Sequence, residues 1–90
     1  MSIRYLIEDI KDFEREVCKL KIDVEFYQAQ VKLYKHNAKN ERDNNWYKQL
    51  MTTFSNDYTK KYVESRSNLA TAERNLRVVK LRLKKYFEEE

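Results

Sequence analysis

A heptad repeat of apolar side chains begins at Ile3 and holds for five full repeats. Apolar positions alternate at spacings of three and four residues, which lines them along one face of a helix and is typical of a coiled coil. A few apolar residues outside this seam predict burial of the helix on more than one side. They are Ile7, Ile22, Phe26 and Leu33. The seam itself consists of Ile3, Ile10, Val17, Val24, Val31 and Ala38 at position a, with Leu6, Phe13, Leu20, Tyr27 and Tyr34 at position d.

The repeat is interrupted by an asparagine-rich segment at residues 36–45. Asn competes with helix by bonding its own backbone, and it tolerates the left-handed conformation that ends helices. We therefore expect a tight turn at residues 37–40, with Asn40 as the N-cap of a second helix. Glu41 and Asp43 would then supply acids to its first turn. The alternative is one uninterrupted helix through this segment.

A second heptad series follows, in which nine of eleven seam positions are apolar or aromatic. Residues 52–57 (TTFSND) are its weak point because Thr, Ser, Asn and Asp are poor helix formers. A break there would create a third, short helix carrying Trp46, Tyr47, Leu50, Met51 and Phe54. The d positions are Met51, Tyr58, Ser65, Ala72, Val79 and Tyr86, and the a positions are Ser55, Tyr62, Leu69, Leu76 and Leu83.

The two series predict an all-α antiparallel helical hairpin, with helices at about 3–36 and 41–88, forming a single coiled-coil domain over residues 1–90. A turn near residues 38–39 would leave the second helix from Asn75 onward without a partner in the hairpin. This overhang carries apolar seam residues, which predicts contact with another chain and a homodimeric helical bundle. Alternatively, a break near Ser55 would let Ile3–Tyr34 pair with Tyr58–Phe87. The predicted interface residues of the overhang are Leu76, Val79, Leu83 and Tyr86.

Charge is distributed unevenly between the two ends of the chain. Residues 1–16 hold five acids against three bases, whereas residues 74–85 hold six bases and no acid. An antiparallel arrangement would bring these segments together and help to select the register. The same basic face could instead contact phosphates, which makes nucleic-acid binding an alternative function. The bases are Arg74, Arg77, Lys80, Arg82, Lys84 and Lys85.

Several classes of function lack the residues that they need. The chain has no Gly and no Pro, so it has no glycine-rich phosphate loop, and Cys18 has no second cysteine to pair with. His36, the only histidine, has no nucleophile and orienting group beside it and suits a helix C-terminus. We therefore expect no enzyme, metal, cofactor or small-molecule substrate. With no long apolar run and no signal-peptide pattern, the sequence predicts a cytoplasmic protein without membrane contact.

The remaining function is binding to another protein. Tyr at the seam positions is expected in the core, whereas Trp46 and Tyr47 lie beside the Asn-rich turn and suit an interface. The sequence thus favours a small helical adaptor or inhibitor that binds a partner protein through its tip and its C-terminal arm. The chain is rich in Lys, Asn, Tyr and Ile, which have AT-rich codons. Small helical proteins of this kind are common among phage and mobile-element accessory factors, many of which bind a host protein.

Overall fold

The computed structural model describes residues 3–41 and 43–89 of the chain. Two helices, α1 (Ile3–Asn40) and α2 (Asn45–Glu89), pack against each other in a rod of 71 × 14 × 14 Å. No strand occurs within the described residues. The chain runs up one helix and returns along the other, which confirms the predicted all-α helical hairpin.

The seam between the helices is the one that the heptads predict. Every predicted a and d position in both helices is buried or half-buried. At its centre Val17 and Leu20 of α1 pack on Ala72 of α2, with Leu69 and Leu76 beside them. Burial of apolar surface contributes roughly 25 cal/mol per Å², so this continuous seam is the main source of stability.

Aromatic side chains replace aliphatic ones in the half of the seam nearer the turn. Tyr58 lies at their centre, with its ring stacked on Tyr34 at 5.5 Å and 7°. The Tyr27 and Phe26 rings lie 6.1 and 6.5 Å from it, and Phe54 packs on Tyr34 at 5.4 Å. The prediction that the seam tyrosines are core residues is confirmed, because Tyr27, Tyr34, Tyr58, Tyr62 and Tyr86 are all half-buried.

The turn lies four residues later than predicted. Helix α1 continues to Asn40, so the expected turn at 37–40 is its last turn, and Ala38 is a buried seam residue. The backbone N–H groups of Asp43 and Asn44 donate to Glu41 Oε1 at 3.3 and 3.1 Å. The N-cap of α2 is Asn44 rather than Asn40, since Asn44 Oδ1 accepts from the Tyr47 N–H at 3.0 Å. The groups that cap the helix ends thus come from Glu41 and Asn44.

Helix α2 continues through residues 52–57, so the alternative of a third helix is wrong. The threonine hydroxyls, which could have capped a new helix, instead donate hydrogen bonds to backbone carbonyls within α2. Thr52 and Thr53 donate to the carbonyls of Lys48 and Gln49, and Thr59 donates to that of Ser55. Each bond spans four residues, a pattern that a helix accommodates at small cost.

The late turn shifts the register and removes the predicted overhang. Tyr34 packs beside Phe54 and Tyr58, and Glu14 pairs with Lys80, so facing residue numbers add to about 90. Ile3 therefore lies opposite about residue 87, and α1 covers the segment from Asn75 onward. The pairing of Ile3–Tyr34 with Tyr58–Phe87 is the observed one, although the break near Ser55 that we invoked for it is absent.

The register brings the acidic and basic ends together, as their charges predict. Lys80 Nζ lies 3.8 Å from Glu14 Oε1, and both side chains are about half exposed. Asp9 and Arg82 line one shallow groove of the same end. One heptad further along the hairpin, Lys21 of α1 faces Glu73 of α2. In this second pair the base comes from α1 and the acid from α2. Exposed pairs contribute at most about 1 kcal/mol each, so their main effect is to favour this register.

Ser55 is the least favourable residue in the seam. It is only 3% exposed, and its Oγ has no hydrogen-bond partner among the described residues. An unsatisfied buried hydroxyl costs about 1–3 kcal/mol. We therefore expect Ser55→Ala to stabilise the protein by about 1 kcal/mol, measured by urea unfolding. Ser67→Ala, at an exposed site of the same helix, controls for helix propensity. An equal gain in both variants would contradict the assignment.

Candidate interaction surfaces

The tip of the hairpin, residues 41–49, carries the most exposed large hydrophobic side chain of the described residues. Because Leu50 lies opposite about residue 40, residues 45–49 extend beyond the end of α1. Trp46, in this first turn of α2, is 70% exposed. Tyr47 is half-buried, and its backbone N–H is held by Asn44. The structure thus places both predicted tip residues at the turn and presents the indole to solvent on a capped helix end.

The C-terminal arm, residues 75–89 of α2, faces α1 with the residues that we predicted to bind another chain. Val79 is buried, while Leu76, Leu83 and Tyr86 are half-buried between the two helices. The overhang that motivated their assignment is absent, so that reason no longer holds, and contact with another chain stays a prediction. The apolar side chains that the arm does expose are Val78, Leu81 and Phe87, with the Phe87 ring edge-on to Tyr86 at 5.9 Å.

The six bases of residues 74–85 are all exposed but do not form one face. Arg77, Lys80 and Lys84 lie on the side of the hairpin marked by the Glu14–Lys80 pair. Arg82 lies on the opposite side, in the groove that Asp9 also lines. Acids from α1 therefore accompany the bases on both sides, which reduces the positive field available to a phosphate backbone.

A second apolar surface lies on the outward side of α1. We call it the outer stripe: Cys18, Ile22, Phe26, Ala29 and Leu33, all exposed. At about 100° per residue these five positions fall within an arc of about 80°, centred opposite the seam. Ile7, Ile22, Phe26 and Leu33, which we predicted to bury a further side of the helix, are thus exposed in the hairpin itself. Their heptad positions, e for Ile7, f for Ile22 and c for Phe26 and Leu33, all lie outside the a/d seam.

His36 and Cys18 are both exposed on α1. His36 is exposed one turn before the end of α1, and Asn40 Nδ2 donates to its Nε2 at 2.8 Å. Cys18 is an exposed free thiol. Across residues 3–41 and 43–89, no three His, Cys, Asp or Glu side chains come together as metal ligands could. The grooves on the hairpin are shallow and follow the helix surfaces.

Comparisons with protein-family models, with curated proteins and with solved structures give no match to this chain. Neither helix, over the residues described, contains an apolar stretch long enough to cross a bilayer. The function is therefore inferred from the chemistry of the exposed side chains.

Proposed function

We propose that the chain is a non-enzymatic protein-interaction module, a helical adaptor or inhibitor that binds a partner protein through its tip. The observation that carries this proposal is the exposure of Trp46 on the projecting first turn of α2. Burying an indole removes a large apolar area from water, and Trp is enriched at binding hot spots. A solvent-exposed Trp at the end of a rigid rod is suited to insertion into an apolar pocket of another protein.

The C-terminal arm supplies a second contact in this proposal. Leu81 and Phe87 are each more than half exposed, about 50 and 60 Å along α2 from Trp46 at 1.5 Å per residue. A partner that contacts both ends has to extend along the hairpin, whereas a small partner contacts the tip alone. Because each contact is small, we expect the tip to provide the larger share of the affinity.

The test of this proposal uses Trp46 as both the probe and the mutated residue. Partner proteins are recovered from the source cell on immobilised protein and then titrated against it. We expect a blue shift of the fluorescence of this single tryptophan on binding. Trp46→Ala should weaken binding about 30-fold, corresponding to a hot-spot loss of about 2 kcal/mol.

Val63→Ala is the matched control, because Val63 is 59% exposed on the outward side of α2, away from the tip. It should bind as the wild type does. If the recovered partner binds Trp46→Ala and wild type equally, without a fluorescence change, the tip is not the binding site. The same titration with Leu81→Ala and Phe87→Ala then decides whether the arm is.

Nucleic-acid binding is the alternative, favoured by Arg77, Lys80 and Lys84 sharing one side of α2. Oligonucleotide retention at increasing salt separates the two functions, since phosphate contacts are lost as salt rises. The triple variant Arg77→Glu, Lys80→Glu and Lys84→Glu should lose retention if that side of α2 binds phosphates. The control with the same charge change elsewhere is Lys32→Glu, Lys48→Glu and Lys60→Glu. Equal retention in all three proteins would exclude a phosphate site on the C-terminal arm.

A further inference from the structure

We propose that a second copy of this chain docks antiparallel on the outer stripe of α1, so that the two α1 helices lie in contact between the two α2 helices. This surface is separate from the tip, and the proposal does not depend on the proposed function. The predicted homodimer used the C-terminal arm, whose seam residues α1 already covers. The outer stripe is a different surface, which the hairpin leaves exposed apart from the part of the Phe26 ring that contacts Tyr27 and Tyr58.

The stripe has the composition of a helix–helix contact. From residue 18 to residue 33, every side chain in the outward arc of α1 is apolar or a thiol. Arg15 and His36 bound it at its two ends. It is about 22 Å long, at 1.5 Å per residue. Its spacing of four, four, three and four residues averages close to one helical turn per apolar residue, so the stripe stays on one face.

The outward side of α2 has no equivalent surface. Val63 and Leu81 are exposed there, but Lys60, Ser67 and Arg74 lie on the same side. Among the described residues, α1 therefore offers the continuous apolar face. A two-fold axis would set this face against itself, which satisfies the requirement that a symmetric dimer uses one self-complementary patch.

The sizes of the side chains favour the antiparallel direction. When facing residue numbers add to 55, Phe26 lies opposite Ala29 of the second copy, and Ile22 lies opposite Leu33 of the second copy. Each of these contacts occurs twice because of the two-fold symmetry. A large ring against a methyl group fills the space between two helices well. A parallel pair would instead set Phe26 against Phe26 and Ala29 against Ala29, which gives a clash and then a gap.

Charges beside the stripe are complementary in the same arrangement. Glu25 and Lys32 are exposed along one edge of it. Antiparallel helices place like edges together, so Glu25 of each chain comes to lie beside Lys32 of the other. These two residues are seven apart in the chain and cannot pair closely within one helix. Lys21 is also exposed on this edge, but farther from the stripe than Glu25. The two symmetry-related Glu25–Lys32 contacts therefore favour a second copy of this chain as the occupant.

The contact is small, about 22 Å by 10 Å, compared with the roughly 1,600 Å² of total surface that standard interfaces bury. We therefore expect weak, concentration-dependent association.

The sharpest test of this association is to trap the dimer with a disulfide bond. In the antiparallel dimer, Cys18 lies opposite His36 of the second copy. The variant His36→Cys should form an intermolecular disulfide with the native Cys18 under mild oxidation. Within one chain the two sites are about 27 Å apart along α1, too far for a bond.

Two single-cysteine proteins serve as controls for direction. Wild type has Cys18 alone, and Cys18→Ser/His36→Cys has only the introduced thiol. In the antiparallel dimer, the single thiol of each control lies about 27 Å from the same thiol of the second copy, too far for a disulfide bond. We expect the two-cysteine variant to give at least about tenfold more covalent dimer than either control, because docking raises the local thiol concentration. Strong crosslinking of the single-cysteine proteins would instead show a parallel dimer and overturn the proposal.

A second pair of variants tests the surface itself. Ile22→Lys places a charge in the stripe, whereas Val63→Lys makes the same change on the outward side of α2, at a similar exposure of 59% against 62%. In the His36→Cys background, Ile22→Lys should abolish the covalent dimer and Val63→Lys should retain it. Circular dichroism should show equal helix content in both. Equal crosslinking in the two variants, or no excess over the single-cysteine controls, would overturn the proposal.

Discussion

Replacing Leu20 by Ala should lower the free energy of unfolding by about 2–4 kcal/mol. Leu20 is 8% exposed and packs with Val17 on Ala72, with Leu69 and Leu76 on either side. Since Ala72 is already small, the deleted atoms leave a cavity that its neighbours cannot fill. Stability of small domains is about 5–15 kcal/mol, so the loss is a large share of the total. Thermal unfolding at a fixed low protein concentration should show the midpoint falling by more than about 10 °C.

The control for this variant is Leu81→Ala, the same substitution at a side chain that is 58% exposed. It deletes the same atoms where they contact mostly water, so its effect should stay within about 0.5 kcal/mol. If both variants lose the same stability, Leu20 is not in the seam where the structure places it. The low concentration matters because self-association would add to the apparent stability.

Tyr58→Ala is the second variant with a large expected effect, a loss of about 2–3 kcal/mol. The Tyr58 ring contacts Phe26, Tyr27 and Tyr34, and Lys61 Nζ lies 5.3 Å from its centre. The expected loss is below that of a fully buried aromatic because Tyr58 is half-buried. Urea unfolding monitored by circular dichroism measures it.

A double-mutant cycle isolates the ring contact within this total. Tyr34→Leu and Tyr58→Leu, alone and combined, should show a coupling of about 0.5–1.5 kcal/mol for the stacked pair. The corresponding cycle with Tyr34 and Tyr62 is the control, because no ring contact joins those two in the described residues. Additive losses for Tyr34 and Tyr58 would mean that the rings act only by filling space.

The seam could be read from the sequence because it depends on one local rule. A spacing of three and four residues fixes which side chains share a helix face, whatever happens elsewhere in the chain. Ser55 and Ser65 broke the apolar pattern, yet both are buried at seam positions. Small side chains there leave room for bulky ones of α1, such as Tyr34 opposite Ser55 in the observed register.

The position of the turn was harder to predict, and the error in it produced the error in the overhang. Asn occurs at residues 37, 40, 44 and 45, so Asn content alone does not choose between two possible turns. The heptad pattern contained the answer, because Ala38 continues the a positions of α1 and is buried. A shift of four residues in the turn raises the sum of facing residue numbers by about eight, and residues 45–49, which extend beyond the end of α1, raise it further. In the predicted register the C-terminal arm is exposed, whereas in the observed register α1 covers it.

Trp46 and Tyr47 were predicted as interface residues from their types and their position beside the Asn-rich segment, and Trp46 is exposed there. The outer stripe was not identified as a surface, because Ile22, Phe26 and Leu33 were assigned to a further buried side of α1. Two helices bury one strip each, so apolar residues diametrically opposite the seam have no third element to cover them. Counting the elements available for burial would have identified Ile22, Phe26 and Leu33 as a surface.

The register also orders events during folding. Tyr34 and Phe54 are 20 residues apart in the chain, whereas Glu14 and Lys80 are 66 apart. Loop-closure entropy makes the second contact about 1 kcal/mol costlier to form first. Folding should therefore begin at the aromatic contacts beside the turn and close toward the ends of the chain. In this order the rings around Tyr58 guide the two helices into register before the aliphatic seam forms.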